Sequence, residues 1–392
     1  MYSKISALRE RDVSVNFCML SQSLSQKFKF WSFVSMVLLV FVHGYNLEIR
    51  YLQPWTAPNE PITFTSFVEY LFANGLLRFR IPMLFAISGY LFALHDQAPH
   101  GDRIKKRART LLAPYLIWSA FALVLVFLLE MFPTTSEWVM SSQVVQIDNS
   151  RKLIHEYQWY EVIARWLFFP VAYQLWFIRV LFVYNCAYLG IRWCVTHRWG
   201  RPIFFAFAVL LWLATFGIVF VEGEGLLFFS LGVWMQKTGF NVEKPSSLVS
   251  PKIWSVVFVA VAIVKTYLAF EGQKLIGDAV FPIITLLHKV TVFSGLVACW
   301  FGLDWLVTQL MQKKVWVWLS GFSFIIYTLH APLVAILINV SFDWLQGIHG
   351  FRMIGFVCLP MLLIAVCVGV GAVLRKAAPG LYGLLTGGRG LA

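Results

Sequence analysis

Arg78 lies inside a long apolar run, Gly75-Leu76-Leu77-Arg78-Phe79-Arg80-Ile81-Pro82-Met83-Leu84-Phe85-Ala86-Ile87-Ser88-Gly89-Tyr90. A guanidinium keeps its charge at any ordinary pH. Placing one in a bilayer costs about 2.5–3.5 kcal/mol on insertion scales. A membrane chain retains such a residue where it faces a polar cavity or a partner, and there it can bind an anion or stabilise developing negative charge. Two histidines sit in comparable runs. Ser32, Ser35, Leu39, His43 and Asn46 recur every three or four residues and share one helix face. Ser323, Tyr327 and His330 share another. An imidazole is a general base near neutral pH, and the Tyr327–His330 pair could hydrogen-bond to a substrate or orient another histidine. The structural alternative stands beside each: an arginine paired with Glu69 or another carboxylate, and histidines or hydroxyls satisfied between helices.

Other polar residues extend the set. Glu69, Asn74, Arg80 and Ser88 share the run that holds Arg78, and Pro82 removes a backbone donor and disrupts the helix there. Freed carbonyls are tolerated where they line a cavity. Arg80 projects from a different helical face than Arg78. Arg179 is close to Trp176 and Phe177, and an arginine among aromatics can bind phosphate or stack on a ring. His288 and Lys289 fall mid-run, where at most one faces a given cavity. The cations within the runs have no matching set of carboxylates. That balance favours an anionic ligand, such as a phosphate- or pyrophosphate-bearing molecule, over a cation pathway.

The elements that hold these residues are membrane helices. The 392-residue chain is 59% hydrophobic and 13% charged, with mean hydropathy +0.72, where a soluble domain has about 25% charged residues. Its 17 Trp and 36 Phe suit interfacial belts and lipid-facing surfaces. Apolar spans at about 30–48, 66–94, 110–131, 171–193, 202–221, 224–239, 251–270, 280–304, 317–341 and 352–374 predict an all-α integral membrane protein, a bundle of about ten transmembrane helices. Lys and Arg divide 21 against 6 between the two sides, so the net charge of +13 is mostly a topology signal and not a nucleic-acid footprint. Both termini are expected in the cytoplasm. We divide the chain into a cytoplasmic N-terminal segment 1–29, a membrane domain 30–376 and a cytoplasmic C-terminal tail 377–392. The first span reads as a retained helix rather than a cleaved signal. The outer segment at about 132–165 is long enough to cover a site on the outer face. The six cysteines form no CxxC pair, so neither a metal site nor a disulfide framework is indicated. Walker A, HExxH and GxSxG patterns are also missing from the sequence.

The run Gly75-Leu76-Leu77-Arg78-x-x-x-Pro82-x-x-Phe85-x-x-Ser88-Gly89-Tyr90 resembles the hallmark of the acyltransferase 3 family of bacterial membrane O-acyltransferases. The resemblance continues in order through Val42-His43, the basic segment leading to Pro114-Tyr115-Leu116-Ile117-Trp118, Leu175-Trp176-Phe177-Ile178-Arg179, Phe229-Ser230-Leu231-Gly232, and the stretch from Ser323 to His330. It implies transfer of an acyl group, usually acetyl, from cytoplasmic acyl-CoA to a hydroxyl of a cell-envelope or exported polysaccharide or glycolipid. It implies a multi-pass protein of the bacterial inner membrane. On this resemblance His43 is the base or acyl relay, Arg78 orients the donor or polarises its carbonyl, and His330 with Tyr327 supports that centre. Asn46, Glu69, Ser88, Trp176, Arg179 and Tyr327 are candidate substrate-binding residues. Arg107 and Arg109, in the cluster with Arg103, Lys105 and Lys106, are candidates for the phosphates of acetyl-CoA. No metal is expected, and the expected partners are the donor, a glycan acceptor, the bilayer and other polysaccharide-assembly proteins. Two departures from the family pattern stand out. Ser32 occupies the position, eleven before His43, where many members carry a basic residue, with Lys29 the nearest replacement; and the extracytoplasmic hydrolase-like domain that some members carry is not expected here. Two other readings compete. A secondary transporter or flippase for an anionic or lipid-linked sugar should show paired broken helices, of which the sequence offers one, at Pro82. A membrane glycosyltransferase would use an outer-loop carboxylate such as Glu48, Glu60, Glu137, Glu156 or Glu161.

Overall fold

The structure is a computed structural model that describes residues 20–45, 56–142, 152–246 and 249–391. Its helices are α1 Gln22–His43, α2 Phe64–Tyr70, α3 Arg80–Leu94, α4 His100–Arg107, α5 Ala113–Glu130, α6 Pro133–Ser141, α7 Trp159–Leu167, α8 Trp176–Cys186, α9 Tyr188–Thr196, α10 Gly200–Leu213, α11 Gly223–Thr238, α12 Pro251–Ile276, α13 Val280–Gly302, α14 Asp304–Met311, α15 Lys314–Ser320, α16 Ser323–Leu345, α17 Phe351–Ala377 and α18 Pro379–Thr386. Among the described residues there is no strand, only an isolated bridge between Gly217 and Glu222. The chain is an all-α, multi-pass membrane protein. Among the described residues, six helical stretches are long and apolar enough to cross a membrane, or seven if the bent pair α8–α9 is one span. One of the six, Pro251–Gly302, is the hairpin of α12 and α13. Exposed Ile203, Phe207, Val256 and Val373 face outward from the bundle, as lipid-facing side chains do.

Boundaries differ from the sequence reading where local chemistry intervenes. Helix α1 begins at Gln22, because the Ser21 hydroxyl accepts from the Leu24 N–H, so Lys27 and Lys29 belong to the helix. Lys27 is buried and paired with Asp304 at 2.6 Å, whereas Lys29 is exposed. The C-terminal segment is not a loose tail. Helix α18 docks on the bundle, with Trp118 donating to the Leu385 carbonyl at 2.9 Å and Arg389 to that of Thr110 at 2.7 Å.

Three breaks in regular structure shape the interior. Residues Leu71–Leu76 form a π-helical turn between α2 and α3, so the stretch Phe64–Leu94 is helical but irregular near its middle. The second break lies at the start of the expected span 171–193 and follows the expected outer segment. After Ile154 and His155, which donate to Glu130 at the end of α5, the chain runs back along α5. There the Ser119 hydroxyl donates to Trp166 O at 2.7 Å and the Tyr115 hydroxyl to Leu167 O at 2.8 Å. Helix α8 then continues to Cys186, beside His100. Residues 154–186 thus run in series beside α5, with a break at 168–175. Polar Glu161 and Arg165 interrupt the apolar pattern of α7.

The third break concerns the expected spans 202–221 and 224–239. Helix α10 stops at Leu213, because Thr215 adopts a left-handed backbone (φ 52°) and the Gly217–Glu222 bridge closes a turn. Glu222 then caps α11 by accepting from the Glu224 and Gly225 N–H groups. At about 1.5 Å per residue α10 and α11 are roughly 21 and 24 Å long, short of the ~30 Å hydrocarbon core. Helix α11 lies against α3, with Gly225 at Phe85, Gly89 at Phe229, and Gly232 at Ala86 and Tyr90. The tip of the α10–α11 hairpin is therefore level with Arg80, midway along Phe64–Leu94.

Candidate active site

All three breaks face one interior region at the C-terminal end of α1. Gly44 lets α1 close on α17, since a side chain there would press on Pro360. His43 is half-buried. Its ring lies edge-on to Tyr173, with centroids 4.9 Å apart, and stacks on His330 at 5.6 Å and 27°. The Tyr173 hydroxyl is 2.8 Å from His43 Nδ1, which leaves Nε2 to meet a substrate. His330 Nδ1 is 2.7 Å from the Ile326 carbonyl. A carbonyl only accepts, so Nδ1 carries the proton and Nε2 is the acceptor. That Nε2 is buried and has no hydrogen-bond partner among the described residues.

Tyr173 is held in the break between α7 and α8. The Tyr327 hydroxyl donates to Gln174 O at 2.6 Å, and the Gln174 amide donates to the carbonyls of Tyr327 and Thr328 at 3.3 and 3.0 Å. Tyr327 therefore braces the segment that carries Tyr173.

The arginines come from the first break. Arg78 Nε donates to Ala73 O at 3.1 Å, and Arg80 Nη1 to Leu77 O at 2.6 Å. Both interact electrostatically with His43. A regular helix would put them on different faces; here Arg78 lies in a turn just before α3, outside helical geometry, and both act on His43. Arg80 is 4% exposed, and its Nε has no partner among the described residues. Glu224, at the start of α11, accepts from Trp212 at 3.1 Å and interacts with Arg78, Arg80 and Lys289. Lys265 of α12 is fully buried and donates to Asn74 O, in the π-helical turn, at 2.7 Å.

The other candidates lie elsewhere. Glu69 is fully buried but pairs at 2.5 Å with Arg352, which also holds Glu60 at 2.6 Å, so it is not the partner of Arg78. Arg179 Nε donates to Val219 O at 2.8 Å and its Nη1 to Phe168 O, tying the hairpin tip to the break between α7 and α8. Trp176 contacts Phe85 and Phe177, with ring centroids 6.3 Å away in each case. Ser88 is half-buried on α3. Arg109 borders a shallow depression with Asp102, Lys105, Lys106 and Thr110, whereas Arg107 packs over Phe92 at 5.3 Å. Asn46 lies outside the described residues. Sequence reasoning did not single out Tyr173, Gln174, Glu224 or Lys265. The ionisable pair was visible as charge within apolar runs. Tyr173 gave no signal, because only the backbone break brings it to His43.

The arrangement suits removal of a proton from a hydroxyl and stabilisation of an oxyanion by cations in a water-poor interior. Comparison with known proteins agrees with that chemistry. The chain is 24% identical over 355 residues, 90% of its length and 89% of the relative's, to a Rhizobium meliloti (strain 1021) protein named succinoglycan biosynthesis protein ExoH. No solved structure matches it. The acyltransferase 3 profile, described as an acyltransferase domain, matches residues 24–374, a range that takes in His43, both arginines, Tyr173 and His330, and the chain belongs to that family of acyltransferases.

Proposed function

We propose that this acyltransferase moves an acyl group, acetyl in its simplest form, from acyl-CoA on the cytoplasmic side of a bacterial inner membrane to a hydroxyl of a cell-envelope or exported polysaccharide or glycolipid. The observation that carries the reading is His43, held between Tyr173 and His330 and facing two arginines, at the level where three helix breaks meet. His43 Nε2 takes the proton of the acceptor hydroxyl as its oxygen attacks the thioester carbonyl. Arg78 and Arg80 stabilise the oxyanion. Collapse breaks the C–S bond, and the thiolate leaves with the proton held on His43. Lys105, Lys106 and Arg109 form an exposed basic depression suited to the donor's phosphates, although the adjacent Asp102 weakens it. The glycan class follows the relative's role in polysaccharide biosynthesis.

The breaks at 71–79 and 168–175 form the kind of pair a transporter uses, so flux of an anionic or lipid-linked sugar is the second reading. Purified protein in lipid nanodiscs with radiolabelled acetyl-CoA and envelope glycan separates the two. Thioester loss with label on the glycan, abolished in folded His43→Ala and Arg78→Ala, supports acyl transfer. Folded wild type that neither binds nor turns over the donor defeats it and makes sugar flux the next assay.

A further inference from the structure

Buried charge around the site is unevenly distributed. The carboxylates Glu222 and Glu224 interact with Lys289, and Glu224 also with Arg78 and Arg80. Across the site, at Lys265 of α12 and His288 of α13, the charges that act among the described residues are all positive. Lys265 is fully buried, and its partners are neutral: it donates to the Asn74 carbonyl at 2.7 Å and lies 5.4 Å over the Tyr70 ring, which leaves N–H donors on the ammonium. The charge acting on it among the described residues is that of Arg78. His288 is 4% exposed, its Nδ1 has no hydrogen-bond partner among the described residues, and the charges acting on it are Lys265, Arg78, Lys289 and Arg80, all cations. Buried cations without a counter-ion are unfavourable, and a buried charge is normally paired. A neutral acyl group and a neutral sugar would leave this lobe uncompensated.

We infer that Lys265 and His288, together with Arg78, form an anion subsite that takes a carboxylate carried by one of the substrates. The inference rests on the acyltransferase reading and deepens it. The carboxylate has two possible sources: an acidic group on the glycan acceptor, which leaves acetyl as the group moved, or the far end of a dicarboxylic acyl group on the donor. Either way Lys265 donates its free N–H groups to the carboxylate, and His288 supplies a further donor.

The test compares wild type, Lys265→Met and His288→Gln in nanodiscs. Lys265→Met keeps the length of the side chain and removes its charge. Each protein receives acetyl-CoA and a dicarboxylic acyl-CoA, each with an acidic glycan and with its neutral, carboxyl-reduced form. The expected result is a wild-type preference for one carboxylate-bearing partner, falling by about 10- to 100-fold in Lys265→Met. Transfer between the neutral partners should fall by less, through the lost hydrogen bond to Asn74 alone. The substrate whose carboxylate is preferred identifies the source. Equal losses on all four pairs, or no carboxylate preference in wild type, overturn the subsite. The acyltransferase reading fails separately, if folded wild type transfers nothing from either donor. In that event sodium malonate against sodium chloride in a thermal-unfolding series still reads the subsite: malonate-specific stabilisation lost in Lys265→Met supports it, and its absence in wild type overturns it.

Discussion

The His43–Tyr173 pair separates catalysis from positioning at the level of single residues. His43→Ala removes the base itself, and acyl transfer should fall by about 10²- to 10⁴-fold. Tyr173→Phe keeps the ring that packs edge-on against His43 and removes only the hydroxyl at 2.8 Å from Nδ1. The imidazole then loses its orienting partner but remains in place. We expect kcat to fall by about tenfold with KM for the donor unchanged within about twofold, since transition-state geometry is lost and donor binding is not. Steady-state kinetics on the two variants check this, and equal losses in both would make Tyr173 part of the chemistry. His43, Arg78 and His330 were legible in the sequence because an ionisable residue in an apolar run is conspicuous. Tyr173 was not, since a tyrosine near an expected membrane interface is ordinary, and its role depends on a break in the chain that periodicity does not encode.

Two contacts between elements hold the inner half of the site in place. Gly89 and Gly232 let α3 and α11 touch backbone to backbone; a methyl group at Gly89 would collide with the Phe229 carbonyl, and one at Gly232 with that of Ala86. Gly89→Ala should therefore destabilise the protein by about 1–3 kcal/mol. Because α3 begins at Arg80 and α11 carries Glu224, transfer should weaken as well. Thermal unfolding in detergent beside activity checks both effects. The second contact is Asp96, in the connection after α3, which accepts from Tyr188 at 2.9 Å, Arg192 at 3.1 Å and Lys237 at 2.5 Å and so joins α3, α9 and α11. Partial burial pushes its carboxyl up, but the hydrogen bonds from Lys237, Tyr188 and Arg192 outweigh this and hold it below the usual range. A depressed carboxyl contributes stability above its unfolded pKa, about 3.9, and loses that contribution as pH falls through the folded value. Arg192 is 43% exposed, so its share is small. Asp96→Asn should cost about 1–2 kcal/mol at pH 7, and the gap from wild type should close below about pH 4. A gap that stays constant from pH 7 to pH 3.5 would mean the charge of Asp96 contributes nothing.

At the scale of the whole molecule, the apolar spans and the Lys/Arg asymmetry gave helix positions well but said less about how far each helix travels. A run of apolar residues reads the same whether the helix crosses the bilayer or turns back inside it. Residues 200–238 show the difference. They begin beside Arg198 and Arg201, reach a tip at 214–222, and return to Lys237, which pairs with Asp96. The tip is level with Arg80, and its Phe216, Ile218 and Phe220 are exposed and apolar, suited to lipid. Backbone groups in the tip find partners locally: Gly223 N–H donates to Phe216 O at 2.9 Å and Ile218 N–H to Val221 O at 2.8 Å, as a turn in hydrocarbon requires. Two full crossings at 202–221 and 224–239 would instead put this tip in outer water. Single cysteines in a cysteine-free background distinguish the two arrangements, read with a membrane-impermeant maleimide on intact cells and on inverted vesicles. Lys106→Cys should label only in inverted vesicles and Lys274→Cys only in intact cells, which also tests the expected sidedness. Gly217→Cys should label in neither, because the tip ends inside the bilayer. Strong labelling of Gly217→Cys in intact cells would restore the two crossings and remove Glu222 and Glu224 from the depth of Arg80.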